Sequence, residues 1–249
     1  MARPKAARPL FFARASRVFK QRRSQDTYQA LLDAAERVFA GRGFDGAQTP
    51  EIAAAAGVST GAFYRYFTDK RQCFVEMITR NLSRAHAEVT RKLEPSLFRD
   101  GDARQAIAGA IEVLFAHIER DAELERVYLA MSLGDPDVAA LRTEYEKSGL
   151  DALTQLIEAV APREAAPHPR AAALVIQLAA MEVASERAGL RPRLDPRLPT
   201  AEVKAALREM LYRFLFSPTE ASSALSTRAS SGRSGRKKSG PAPSSRRGR

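Results

Sequence analysis

One cysteine, no tryptophan and three histidines are all that 249 residues offer of the side chains that most often carry redox, stacking or metal chemistry. Cys73 has no second cysteine, so an internal disulfide is impossible and nothing points to an oxidising compartment. His86, His117 and His168 do not fall at metal-ligand spacing, and no metal or cofactor is expected. There is no H-E-x-x-H, no nucleophile–base motif and no phosphate-cradling glycine loop, which argues against an enzyme. No apolar run approaches the roughly 20 residues that cross a bilayer. The stretch "LFFA" in the basic opening segment is too short for the core of a signal peptide. The expectation is a cytoplasmic protein with no membrane partner. Period-2 alternation and Asn-Gly hairpin signals are also missing, which excludes a sheet-based fold, and no internal repeat is visible.

What is present is enough apolar material for a core, at 45% of residues, in a length that suits one large or two small domains. The net charge of +11 is unevenly placed. Residues 1–24 hold eight basic side chains and no acid, and residues 219–249 hold eight basic side chains and one acid. The remainder, 25–218, carries 24 basic and 28 acidic residues, a net of −4. Basic ends around a slightly acidic body suit a polyanion partner, most often nucleic acid, although solvated tails would look the same. The Ser-, Gly-, Pro- and Arg-rich tail 219–249 cannot bury enough apolar surface to order itself, so it is expected to be disordered, as is the arm 1–24.

Between the ends the pattern is helical, and the fold class expected is all-α. Tyr28, Leu31, Leu32, Ala35, Val38 and Phe39 recur at three- and four-residue steps, which predicts a helix from about 25 to 40, stopped by "GRGF". "TPEIAAAAG" predicts a two-turn helix with Thr49 as N-cap and Pro50 in its first turn. Ser59 is the N-cap expected for a third helix. Asp69 with Gln72 resembles a capping box for a fourth. Further helices are expected at about 101–119, 121–133, 136–160, 170–189 and 200–216, separated by Gly- and Pro-rich breakers.

Two short helices joined through Gly57 and Val58 form a helix-turn-helix unit. In the third helix Phe63 and Phe67 lie one turn apart and can pack inward, while Thr60, Gly61, Tyr64 and Arg65 occupy the opposite face. The N-terminal end of the second helix of such a unit enters the major groove. Gly61 and Ala62 would let its backbone approach base edges, and Thr60 and Ala62 could touch a thymine methyl. A competing possibility makes Tyr64 and Tyr66 merely the edge of an amphipathic core.

The run "ALLDAAERVFAGRGFDGAQTPEIAAAAGVSTGAFYRYFTDKRQCF" resembles the TetR (tetracycline-repressor) family of transcriptional regulators, and the resemblance extends over about residues 25–85. It implies a three-helix headpiece at 25–70, with the motif itself at about 48–67, followed by a helical ligand-binding and dimerisation domain at 71–218. It implies that Thr60, Gly61 and Ala62 face base edges and that Thr49, Tyr64, Tyr66 and Lys70 bind phosphates. Tyr66 stands where the family usually has histidine. The headpiece is also net −2, with four basic and six acidic residues over 25–70. Phosphate neutralisation dominates affinity, so Lys20, Arg22 and Arg23 of the preceding arm are expected to reach DNA.

One headpiece reads few bases, so the resemblance implies a homodimer on a near-palindromic operator. The expected dimer surface is the last two helices, where Ala172, Ala179 and Ala180 would permit close packing. An unknown small-molecule effector would bind among helices 71–160, with Phe98, Phe115, His117, Tyr128, Met131 and Tyr145 as candidates. The function expected is a sequence-specific regulator, most simply a repressor released by its effector. An activator, or a nonspecific architectural DNA binder driven by the basic arms, would share the same composition.

Overall fold

The computed structural model describes residues 22–99 and 101–216, and these form ten helices joined by turns, with no strand among them. Helix α1, Arg22–Gly46, begins earlier than the apolar pattern suggests. Arg22 and Arg23 therefore sit in its first turn and not in a disordered arm; Lys20 and the tail 219–249 lie outside the described residues. Tyr28, Leu31, Leu32, Ala34, Ala35 and Phe39 form its buried face. The helical geometry breaks at Gly43, whose φ of 70° is open to glycine at little cost. Helix α2, Thr49–Ala55, is capped by Gln48 and not by Thr49, because the Gln48 carbonyl accepts from the amides of Glu51 and Ile52. Thr49 is thereby already helical, and Pro50, lacking an N–H, fits the first turn. Gly57, also at φ 70°, makes the turn into α3, Thr60–Phe63.

Two expected caps hold. The Ser59 hydroxyl accepts from the Ala62 amide at 3.2 Å, and the Asp69 carboxylate accepts from the Gln72 amide at 2.7 Å. The reciprocal half of the second cap is displaced by one residue, since the Gln72 side-chain oxygen accepts from the Thr68 amide at 2.7 Å. Helix α4, Lys70–Lys92, then runs without interruption across residue 70. After it come α5, Pro95–Arg99; α6, Ala103–Arg120; α7, Ala122–Gly134; α8, Pro136–Val160; α9, Pro169–Arg187; and α10, Thr200–Phe216. Asp102 and Asp135 cap α6 and α8 through their carboxylates.

Two buried clusters hold these helices together. The first joins α1–α4 with Leu124 and Tyr128 of α7 and with Val138 and Leu141 of α8. The second joins α5, α6, the end of α8, α9 and α10 around Phe98, Phe115, Leu156, Ile176 and Leu211. The headpiece core thus continues into α7 and α8 and does not close at residue 70. A unit of roughly 45 residues buries too little apolar surface to be stable alone, and the second pair of helices supplies the rest.

Ion pairs reinforce the junction. Arg80 of α4 reaches Asp33 at 2.6 Å and Glu36 at 2.9 Å on α1, with its side chain largely buried. Arg71 forks onto Asp135 at 2.6 and 2.7 Å and meets Asp137 at 2.6 Å, which ties the start of α4 to the start of α8. The Tyr28 hydroxyl donates to Glu76 at 2.6 Å.

Cys73 is fully buried in the first cluster, and burial, with Glu76 adding to it, pushes its thiol well above the ordinary range. A thiolate is the reactive form. Cys73 should therefore resist iodoacetamide in the native protein and react only as fast as the fold opens, which mass spectrometry of timed, quenched samples would measure.

Candidate nucleic-acid interface

Packing of α3 decides what it shows to solvent. Phe63 and Phe67 are fully buried, 5.2 Å apart between ring centroids, and Phe67 stacks on Tyr28 at 5.6 Å. With these rings anchored inward, Gly61, Tyr64 and Arg65 face out and Thr60 is half-buried. Tyr64 is 56% exposed, with its ring edge against Phe63. Ala62 is only 7% exposed, so its methyl is part of the packed side and not of the presented surface. Ala62 precedes the fully buried Phe63 in a four-residue helix, and the two share its packed side.

A Cβ built on Gly61 would meet only the Ser59 hydroxyl, at 3.9 Å. The fold itself does not require glycine there. It tolerates a residue that costs a helix about 1 kcal/mol relative to alanine, and it leaves the backbone open on the outer side.

Thr49 is half-buried at the start of α2, and its hydroxyl makes no hydrogen bond among the described residues. Tyr66 is half-buried, with its ring 6.3 Å from that of Tyr28, so it belongs partly to the core. Lys70 departs most from expectation. Its ammonium donates to the main-chain carbonyls of Phe44 at 2.9 Å, Asp45 at 3.1 Å and Ala47 at 3.2 Å, and lies 4.9 Å from the Phe44 ring centroid. An ammonium has three N–H donors, and all three close the end of α1 onto the start of α4. This geometry lets Lys70 act as an internal clamp that holds the helix-turn-helix against α4, a role the resemblance did not imply beside its phosphate contact.

The helical domain contains two adjoining cavities. One, of about 160 Å³, is bounded almost entirely by apolar side chains from α4–α6 and α8–α10, including Leu93, Phe98, Ile107, Leu156 and Leu211. The other, of about 390 Å³, lies between α6, α7, α8 and α9 and is more polar. The candidate ligand residues are dispersed. Tyr145 borders both cavities, Phe98 borders the apolar one, and His117 and Tyr128 border the polar one. Phe115 is sealed in the second core with the Lys204 ammonium over its ring, and Met131 packs against the first core. Neither borders either of these two cavities, because helical period alone does not tell a wall from a core.

His86 and Gln177 border the apolar cavity and were not legible as such. Gln177 leaves a signal, however, as the one amide in the apolar run "AAALVIQLAAMEVA" of α9. Burial holds the His86 imidazole below its ordinary pKa, so it is neutral near pH 7, within reach of the Ser148 and Thr90 hydroxyls at 3.3 and 3.4 Å.

Residues 31–77 match the model of bacterial regulatory proteins, tetR family. Over 158 residues the chain is 31% identical to the HTH-type transcriptional activator FasR of Mycolicibacterium smegmatis, a match covering 63% of this chain and 69% of that one. Over 55 residues it is 46% identical to the HTH-type transcriptional repressor BepR of Brucella suis, covering 22% of this chain and 26% of that one. Among solved structures, a putative TetR-family regulator from Mesorhizobium loti shares the fold with a TM-score of 0.60 at 22% identity, covering 78% of this chain and 98% of that one. A transcriptional regulator from Rhodococcus shares it at 0.59 and 21% identity, covering 76% and 95%.

Proposed function

The chain belongs to the tetR family of bacterial regulatory proteins and is a DNA-binding transcriptional regulator, and on that premise we propose that it is a homodimeric repressor released from a near-palindromic operator by a small molecule held in the helical domain. The observation that carries this reading is the outer face of α3: Gly61 open to solvent, Thr60 beside it and Tyr64 exposed, on a helix anchored from behind by Phe63 and Phe67. Such a face can lie in a major groove, with Thr49 and Tyr64 supplying hydroxyls to flanking phosphates. It offers few base-specific donors, so DNA shape carries part of the discrimination. Arg22 and Arg23 strengthen the reading. They occupy the first turn of α1, which has no acidic residue.

The outer faces of α9 and α10 support the dimer. Val175 and Leu178 are 59% and 60% exposed, and Leu174, Met210 and Phe214 lie bare with them. A monomer rarely shows so much apolar surface without a partner, and a second copy related by a two-fold axis would cover it. Of the small residues first assigned to this surface, Ala172 and Ala180 are instead buried within the subunit. Replacing Val175 and Leu178 together by glutamate should give a monomer by sedimentation, with operator affinity reduced at least about tenfold, since a lone headpiece holds only one half-site.

Release would run along α4, whose first turn holds the headpiece through Lys70 and whose later turns, at Val89 and Thr90, border the apolar cavity. Occupancy of the cavity would shift the dimer away from a headpiece spacing of about 34–36 Å, which fits successive major grooves. FasR and BepR carry opposite signs of regulation in their names. Repression is the simpler reading here because it needs only occupancy of promoter DNA. A reporter fused to the promoter of the protein's own gene tests the sign: deletion of the gene should raise expression. Gel-shift competition tests specificity: bulk DNA should compete far more weakly than that promoter, and equal competition would favour an architectural binder.

A further inference from the structure

We propose that the effector is an amphiphile with a hydrogen-bond-donating, cationic head, an alkylammonium whose chain fills the apolar cavity and whose nitrogen sits in the adjoining chamber against Glu125, Tyr128 and Gln177. This rests on the effector reading above and adds the chemistry of the head group. The two cavities share the side chains of Leu114, Tyr145, Glu146, Gln177 and Met181 as common walls, so one molecule can occupy both.

The polar chamber has unspent polar groups, two of them, the Gln177 oxygen and the Glu125 carboxylate, able only to accept. The Tyr128 hydroxyl and the Gln177 side-chain oxygen are buried without a hydrogen-bond partner among the described residues. The Gln177 amide donates from Nε2 to the Glu146 carbonyl at 2.9 Å, which fixes its orientation, since a flipped amide would set oxygen against oxygen. Its Oε1 is therefore an acceptor left over at the border of the two cavities. Glu125 lies one turn before Tyr128 on α7, and its carboxyl makes no hydrogen bond or ion pair among the described residues. An unmet buried polar group costs the fold about 1–3 kcal/mol, and the two such groups, Tyr128 and Gln177, with the half-buried Glu125 carboxyl on the same chamber, call for a partner from outside.

Among the described residues no cation inside the chamber is free, and Lys147 stands only at its exposed rim. Arg142 donates from Nε to Glu146 at 2.8 Å and from a terminal nitrogen to Ser132 at 3.3 Å. His117 is kept neutral near pH 7, chiefly by burial and then by Arg120. Burial pushes the Glu125 carboxyl up to about 7, with Arg142 pulling against it and Asp121 and Glu146 adding to the rise. Lys147 and Glu182 stand exposed at the rim with opposite charges. A carboxylate head could accept from the Tyr128 hydroxyl, but it would bring one more negative charge to Glu125 and would leave the Gln177 oxygen unmet. An ammonium has three donors and no acceptor, and it stabilises the ionised form of Glu125. Leu174 and Leu178 at the outer rim belong to the face assigned to the dimer, so a second copy would roof the chamber.

The full-length chain is titrated calorimetrically with n-octylammonium, n-octanol and n-octanoate, each below its micelle concentration. Octylammonium should bind at least about tenfold more tightly than octanoate, the weight of one charge-assisted hydrogen bond, with octanol between them. Its affinity should rise as pH increases through about 7, as Glu125 ionises, while that of octanol stays flat. Glu125→Gln should abolish this pH dependence and cut octylammonium binding about tenfold, leaving octanol unchanged. Octanoate binding as well as octylammonium would overturn the head-group assignment and keep the cavity as the effector site. Binding by none of the three would overturn both. Equal loss of all three ligands in Glu125→Gln would assign that residue to the fold and also overturn the proposal.

Discussion

Replacing Gly61 by phenylalanine should reduce specific operator affinity about a thousand-fold, to the level of nonspecific binding, while the protein stays folded. Gly61 is exposed, and a Cβ added there meets only the Ser59 hydroxyl at ordinary contact distance. Nothing inside the subunit resists the substitution. If the backbone of α3 lies against base edges, however, an aromatic ring at that point holds the whole helix off the groove, and the flanking phosphate contacts are lost with it. Gly61→Ala separates the two effects. It should raise stability by about 0.5–1 kcal/mol, because alanine loses less freedom on entering a helix, and still weaken DNA binding. Thermal denaturation and fluorescence anisotropy on a labelled operator read the two quantities independently. Unchanged operator affinity in the folded Gly61→Phe protein would remove α3 from the groove.

Lys70→Met should destabilise the protein by about 3 kcal/mol. The change strands the carbonyls of Phe44, Asp45 and Ala47, which now accept from a charged donor at 2.9–3.2 Å, and hydrogen bonds to charged groups are worth about 1.5–3 kcal/mol each without being additive. In a chain of this size that corresponds to a fall in Tm of about 6–12 °C. The same variant decides between clamp and phosphate ligand. A lysine that neutralises a phosphate contributes about one unit to the slope of log affinity against log salt. An internal clamp leaves that slope unchanged and lowers affinity at every salt concentration, through a headpiece no longer held at a fixed angle to α4. Loss of one unit of slope with an unaltered Tm would restore the phosphate role implied by the family resemblance.

The contrast between Gly61 and Lys70 shows where sequence was sufficient. Helix type and approximate limits follow from apolar spacing and caps, except for the short α5, Pro95–Arg99, where the sequence shows only a break, and those are local properties: Ser59 and Asp69 hold the first turns that the pattern assigns them, and Gly57 makes its turn. The inward faces of Phe63 and Phe67 are equally local, being set by one helical turn between two rings. Ala62 was misplaced because a methyl carries no amphipathic signal and only its neighbours decide its side. Thr49 was misplaced as a cap by a single residue, within the range over which a Thr-Pro start can shift.

Lys70, Arg71 and Arg80 lie beyond the reach of that logic. Their partners are tens of residues away in the chain, and a long flexible cation finds carbonyls or carboxylates only after the helices have packed. The cavity walls are long-range in the same sense. Phe115 lies in the apolar run "EVLFAHI" and Tyr145 among the polar residues of "RTEYEKS", yet the first is sealed in the core and the second borders both cavities. By itself the chain determined an all-helical regulator with a DNA-reading motif near its start, because caps, glycine turns and apolar periods act over a few residues. Tertiary packing alone decided that the headpiece shares its core with α7 and α8, that Lys70 is turned inward, and that an acceptor-lined chamber opens beside an apolar one, because each depends on which surfaces meet after the helices have formed.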